Sequence, residues 1–170
     1  VEYLRENHIK SLLPKESKIP DFLVNEDNST IIIDAKSTEL HPVARVLQRK
    51  DELINNLEST VIHGVVKIIS SARKLKESYD KYSQNDIYEI IVTYKEYLIG
   101  DGKYFLDVLI KECLESKLLI LDIENPIPSS NFFVISIEDY DYLIAGMKEL
   151  NLNMSHILKE VVQRNMKPET

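Results

Sequence analysis

Two rhythms of apolar and polar residues run along this chain. Tyr3, Leu4, Ile9, Leu12 and Leu13 recur at a broken helical spacing, which predicts a short helix over residues 2–13, closed by Pro14. From Ile19 the rhythm shortens. Ile19-Pro20-Asp21-Phe22-Leu23-Val24 and Thr30-Ile31-Ile32-Ile33-Asp34-Ala35-Lys36 flank the polar Asn25-Glu26-Asp27-Asn28-Ser29, the pattern of a β-hairpin. Helical spacing returns over residues 42–57 (Val43, Val46, Leu47, Leu53, Ile54, Leu57) and again through Ile62, Val65, Val66, Ile69, Ala72 and Leu75, with Gly64 a mild weakness. Residues 87–94 read as a strand, Gly100-Asp101-Gly102 as a turn and residues 104–116 as a helix. Two short apolar runs, 118–123 and 132–136, flank a Pro-rich loop, and the second reads as a strand. Ser136-x-x-Asp139 has the form of a capping box with a shortened acid, and residues 151–166 make a last amphipathic helix. This order predicts a mixed α/β fold, a small central sheet flanked by helices with extra C-terminal helices, as a single domain over residues 1–170.

The hairpin can be taken further. A turn centred between Asp27 and Asn28 makes cross-strand partners whose numbers sum to 55. Leu23 then faces Ile32, Phe22 faces Ile33, Val24 faces Ile31, and Asp21 lies opposite Asp34. Because side chains alternate, Asp21, Leu23, Ile32, Asp34 and Lys36 share one face while Phe22, Val24, Ile31, Ile33 and Ala35 share the other. Both faces are mainly apolar, as in a sheet covered on both sides. Two carboxylates about 5 Å apart at one end repel each other. A hard divalent cation offsets that repulsion, since Mg²⁺ is commonly held by one or two carboxylates with water and phosphate. Lys36 sits where it can orient a water or stabilise phosphate charge.

Composition adjusts this picture. With 170 residues, 44% hydrophobic and 29% charged, the chain supports one well-buried core. Its net charge of −7 argues against a protein whose whole surface clamps nucleic acid, leaving room for a local basic patch. A single Cys113 excludes internal disulfides and Cys-rich metal sites and suits a reducing cytoplasm. Neither a signal peptide nor a membrane-spanning run is visible. The start at Val1 rather than Met points to a fragment of a larger protein.

Pro20-Asp21, twelve intervening residues, then Asp34-Ala35-Lys36 resembles the active-site signature of the PD-(D/E)XK nuclease superfamily. The resemblance implies a restriction-endonuclease-like core and Mg²⁺- or Mn²⁺-dependent hydrolysis of phosphodiesters, DNA favoured over RNA, in prokaryotic restriction, repair or anti-phage defence. By that analogy Asp21, Asp34 and the Ala35 carbonyl bind the metal and Lys36 positions the attacking water. The family's additional Glu from the preceding helix corresponds here to Glu6, with Glu2 the other candidate. A Gln or Lys that some members add from the next helix corresponds to Gln48. Partners implied are DNA and a further domain or subunit, with a homodimer through the C-terminal helix as an option.

Other readings stand beside this one. Asp21, Asp34 and Lys36 can form an ordinary ion cluster worth about 0 to 1 kcal/mol if exposed, or the fold can serve as an inactive docking module. Arg45, Arg49, Lys50, Lys67, Arg73, Lys74 and Lys76 can track phosphates or simply form solvated helix faces. His8, His41, His63 and His156 lack mutual ligand spacing. The tyrosines can stack on bases or finish the core.

Overall fold

The β-hairpin forms in the register that its apolar residues dictate. The computed structural model describes residues 1–15, 17–37, 50–96 and 101–166. Strands β2 (Phe22–Glu26) and β3 (Ser29–Lys36) pair antiparallel with Phe22 opposite Ile33, Leu23 opposite Ile32 and Val24 opposite Ile31. Asp27 takes the positive φ of 50° that the tight turn needs, a conformation Asp tolerates.

Five strands form one mixed sheet in the order β1-β2-β3-β4-β5. β1 (Glu2–Arg5) adds antiparallel to β2, while β4 (Asp86–Thr93) and β5 (Phe132–Ser136) follow β3 in parallel. The parallel steps require crossovers, and helices supply them. α1 (Glu6–Leu12) follows β1. α2 (Lys50–Leu57), a π turn (Glu58–Ile62), α3 (His63–Ser78) and the short α4 (Asp80–Ser83) precede β4. A helical turn α5 (Gly102–Tyr104), a second π turn (Phe105–Leu109) and α6 (Lys111–Ile120) precede β5, and α7 (Ile137–Leu150) and α8 (Met154–Asn165) end the described chain.

The two sheet faces carry separate cores. Leu23, Ile32, Ile87 and Ile91 pack with Ile9, Leu57, Ile62, Val65, Ile69, Leu75 and Phe105 on the α1–α3 side. Val24, Ile31, Ile33, Tyr88, Ile90 and Val92 pack with Met154 and Leu158 of α8 on the other. Burying both faces explains why β3 and β4 read as nearly continuous apolar runs.

Several boundaries differ from the sequence reading. Residues 2–5 are strand, not helix: Tyr3 pairs with Val24 and Leu4 with Leu23, so ladder bonds to β2 override a weak helical pattern. The helix expected over 104–116 is split by the π turn, and the run at 118–123 finishes α6 and its turn, leaving Leu119 and Ile120 exposed. Of the helix expected over 42–57, residues 42–49 lie outside the described residues. The capping box is present, with Ser136 Oγ accepting from the Asp139 N–H at 3.1 Å. The shorter acid closes on the hydroxyl, which donates to Asp139 Oδ2 at 2.7 Å, rather than reaching the backbone. Among the described residues no helix is long and apolar enough to cross a membrane.

Candidate functional site

Asp21 and Asp34 meet at the open end of the hairpin, beyond the last paired residue of β2. Asp34 lies in mid-sheet on β3 and is fully buried. Asp21 precedes β2 and is partly exposed; its Oδ2 accepts a 2.7 Å hydrogen bond from the Ala35 N–H, which fixes the carboxylate against the neighbouring strand. The family analogy gives a role to the Ala35 carbonyl, whereas the contact seen at this residue is through its amide. Lys36, two residues past Asp34 on the same face, pairs with Asp34 Oδ2.

Lys67 of α3 completes the cluster. Its ammonium pairs with Asp34 Oδ1 and lies 4.0 Å from Asp21 Oδ1, so one cationic nitrogen stands between the two acids. The Lys67 and Lys36 side chains are 13% and 16% exposed, so their charges are only lightly screened. Neither Asp34 oxygen has a conventional hydrogen-bond partner, and the two ammonium groups supply its counter-charge.

Helix α3 reaches the site through a glycine. A Cβ at Gly64 would lie 2.9 Å from Lys36 Cε, 3.0 Å from Asp34 Oδ2 and 3.1 Å from Ile91 Cδ1, closer than ordinary packing allows. The absent side chain lets the helix settle onto the charged cluster. The segment leading into Asp21 is tied to the same helix: the buried Ser71 hydroxyl shares its one proton between the carbonyls of Lys18 and Lys67, each at 2.9 Å, and Lys74 Nζ donates to Ser17 Oγ at 3.0 Å.

A third acid lies beneath. Glu89 of β4 pairs in register with Ile32, is fully buried on the Asp34 side of the sheet and has neither oxygen hydrogen-bonded among the described residues. Burial pushes its carboxyl well above the usual carboxylate range, and the neighbouring Asp34 charge adds to the rise. Burial thus favours the protonated, neutral form of Glu89. His63, at the start of α3, accepts from Lys18 Nζ at 2.9 Å; partial burial holds its imidazole below the ordinary value, followed by the charges of Lys18, Lys36 and Lys67, with Asp34 opposing.

Glu6 lies close by along the backbone, its N–H donating to the Asp21 carbonyl at 3.1 Å. Its exposed carboxylate pairs with Lys10 at 2.7 Å, which lowers its pKa, with a smaller pull from Lys67. Gln48, like Arg45, Arg49 and His41, lies outside the described residues. Of the other basic candidates, Lys74 and Arg73 line a groove beside α3, and Lys76 turns to the Ser83 carbonyl.

Sequence reasoning gave Lys67 only a general electrostatic role and passed over Glu89. The signal for Glu89 was present: an acid at a core-facing position of an apolar strand buried on both sides needs a reason to be there. Lys67 had no comparable signal, because its position depends on how α3 crosses the sheet.

Comparison with protein-family models, curated proteins and solved structures gave no match.

A divalent cation fits this donor set in one respect, because the position between Asp21 and Asp34 already holds a positive nitrogen. Among the described residues no group of three or more His, Cys, Asp or Glu side chains is gathered to hold a metal, so the protein's acidic ligands would be two carboxylates, a number Mg²⁺ commonly uses. Two lysines already balance two acids, so Lys67 must swing aside for a cation to enter.

Proposed function

We propose that this chain is a divalent-cation-dependent nuclease domain of the PD-(D/E)XK kind, built on a restriction-endonuclease-like core and acting as an endonuclease on DNA. The observation that carries the reading is the gathering of Asp21, Asp34, Lys36 and Lys67 at one end of a hairpin whose register sets the two acids side by side. The strand order, an antiparallel β1-β2-β3 followed by parallel β4, is compatible with such a core.

Asp21 and Asp34 would hold the cation, Asp21 kept in place by the Ala35 amide. A bound Mg²⁺ or Mn²⁺ supplies Lewis-acid polarisation of the phosphodiester and a readily deprotonated water. Lys36 would orient that water toward phosphorus, and Lys67, released from the acids, would meet the charge that grows on the phosphate oxygens. Water adds to phosphorus, one P–O ester bond breaks, and the products are a phosphate monoester and an alcohol.

The test is Mn²⁺ titration calorimetry beside cleavage of plasmid and linear DNA. Expected are Mn²⁺ binding at millimolar concentration or below that is lost in Asp21→Asn, and cleavage that falls roughly 10³-fold in Asp34→Asn and Lys36→Ala, because several kcal/mol of charge stabilisation depend on these groups. Cleavage that persists unchanged in both variants overturns the reading.

A second reading, an inactive docking module of the same fold, is favoured by one observation: both acids are already neutralised by lysines. Absence of any Mn²⁺ heat at millimolar concentration selects it.

A further inference from the structure

A groove of about 390 Å³ runs beside α3, lined by Lys18, Ser70, Arg73, Lys74, Glu77 and Asp122 among others. It adjoins the charged cluster. Lys18 lines the groove and also donates to His63, and its carbonyl shares the Ser71 hydroxyl with that of Lys67. His63, Lys67 and Lys74 follow one another at helical spacings of four and seven residues, which sets them along one stripe of α3.

Charge accounting separates the two ends of this groove. At the far end Arg73 is committed: its Nε donates to Glu77 at 2.7 Å and its guanidinium to the Asp122 carbonyl at 2.5 Å. At the near end Lys18 donates to His63 and Lys74 to Ser17, and neither forms an ion pair with a carboxylate among the described residues. These two ammonium groups lack ion-pair partners among the described residues, in a groove that the Glu77 and Asp122 carboxylates also line, and give its near end a positive character on a chain of net charge −7.

Spacing decides which anion fits. Lys67 and Lys74 are seven residues apart on α3, about 10 Å along its axis, so an anion that reaches both the acids' cluster and Lys74 must be extended, as a nucleic-acid strand with a phosphate at every nucleotide is. We infer that Lys18 and Lys74 form a backbone-phosphate subsite that holds the DNA strand beside the bond positioned at Asp21 and Asp34. The inference rests on the nuclease reading for the nature of the strand, and it concerns binding rather than cleavage.

The experiment is fluorescence anisotropy of a labelled 20-base-pair duplex with the wild-type chain in EDTA, from 50 to 200 mM salt. It is repeated for Lys18→Gln/Lys74→Gln, for Lys18→Arg/Lys74→Arg, and for Lys159→Gln, whose lysine pairs with Asp86 elsewhere. Circular dichroism confirms that each variant is folded. Expected for the Gln pair is at least tenfold weaker binding and a log K against log salt slope shallower by about 1.8, the value for two lost phosphate contacts, with the Arg pair and Lys159→Gln close to wild type. An unchanged slope in the Gln pair, or no duplex binding by the wild type at 50 mM salt, overturns the subsite. Competition by millimolar inorganic phosphate as effective as that of the duplex also overturns it, in favour of a free-anion site. Duplex binding that needs these lysines without any Mn²⁺-dependent cleavage leaves the subsite standing and removes the nuclease reading instead.

Discussion

At the turn end of the β2–β3 hairpin, Thr30 is fully buried, donates to Asn25 Oδ1 at 3.0 Å and accepts from Asn85 Nδ2 at 2.9 Å. Asn25 donates to Glu2 at 2.8 Å, and buried Glu26 accepts from the Ser155 N–H at 2.8 Å, holding the first turn of α8. At the open end, Asp34 and Glu89 are just as buried, but Asp34 is met by the Lys36 and Lys67 ammonium groups and Glu89 by no hydrogen-bond partner among the described residues. The turn end has one lapse, the neutral Ser29 hydroxyl, which also lacks a partner. Burial alone therefore does not distinguish the two ends of this hairpin. The separation lies in whether a buried polar group is satisfied by the fold itself, because an unsatisfied one costs about 1–3 kcal/mol, and more if charged. Glu89, buried without a partner beside the Asp34 charge, gives up stability at that point.

The sharpest way to break this comparison is through pH. Glu89 has a folded-state pKa raised well above its unfolded value, so the folded protein binds a proton that the unfolded chain releases. Its contribution is fully present below the unfolded carboxylate range and is lost as pH rises through the folded value. The wild type should thus lose up to about 1.4 kcal/mol per pH unit relative to Glu89→Gln across that window, measured by urea unfolding of both proteins from pH 4 to 9. Glu2 at the turn end behaves oppositely. The hydrogen bond from Lys81, then that from Asn25, lowers its pKa, so its smaller contribution is present above the unfolded value and disappears on acidification. Parallel pH profiles for wild type and Glu89→Gln would show that the two ends do not differ in this way.

A smaller effect tests the turn end alone. Asn25→Ala leaves Thr30 with one partner fewer and removes a donor from Glu2, which should cost roughly 1–3 kcal/mol of unfolding free energy. Mn²⁺ affinity in calorimetry should stay within twofold of wild type, since no atom of this network touches Asp21 or Asp34. A change in metal affinity as large as that of Asp21→Asn would couple the two ends and dissolve the distinction.

The hairpin was legible in the sequence because local rules overdetermine it. A turn that favours positive φ, period-two alternation and three matched apolar pairs admit one register, and that register put Asp21, Asp34 and Lys36 together before any tertiary contact was considered. The mixed α/β layering was legible for a related reason, since β3 and β4 are apolar on both faces. Long-range placement was not. Residues 2–5 became a strand because β2 offered a free edge, and the first helix shrank accordingly. Lys67 reaches the acids because Gly64 and the π turn before it set the height and rotation of α3, and neither feature announces which lysine will face inward. Gly64 read as a flaw in a helix when it is the point where helix and site touch.

Ser71→Ala asks how firmly the site's two elements are joined. The hydroxyl is fully buried and its proton is shared between the Lys18 and Lys67 carbonyls, so it links α3 to the segment that leads into Asp21, beside the Lys74–Ser17 bond. The Lys67 carbonyl keeps its helical position without it, so the loss falls on Lys18. Removing one such bond should lower stability by about 1 kcal/mol, a modest value because alanine suits the helix better than serine. The informative readout is Mn²⁺ affinity. If Ser71 fixes the distance between Asp21 and the helix bearing Lys67, the variant should bind Mn²⁺ a few-fold more weakly even after correction for any unfolded fraction. Ser71→Thr, which keeps a hydroxyl, should recover part of that loss. A stability loss with unchanged Mn²⁺ affinity would assign Ser71 to packing alone and leave the Ala35 amide as the contact that positions Asp21.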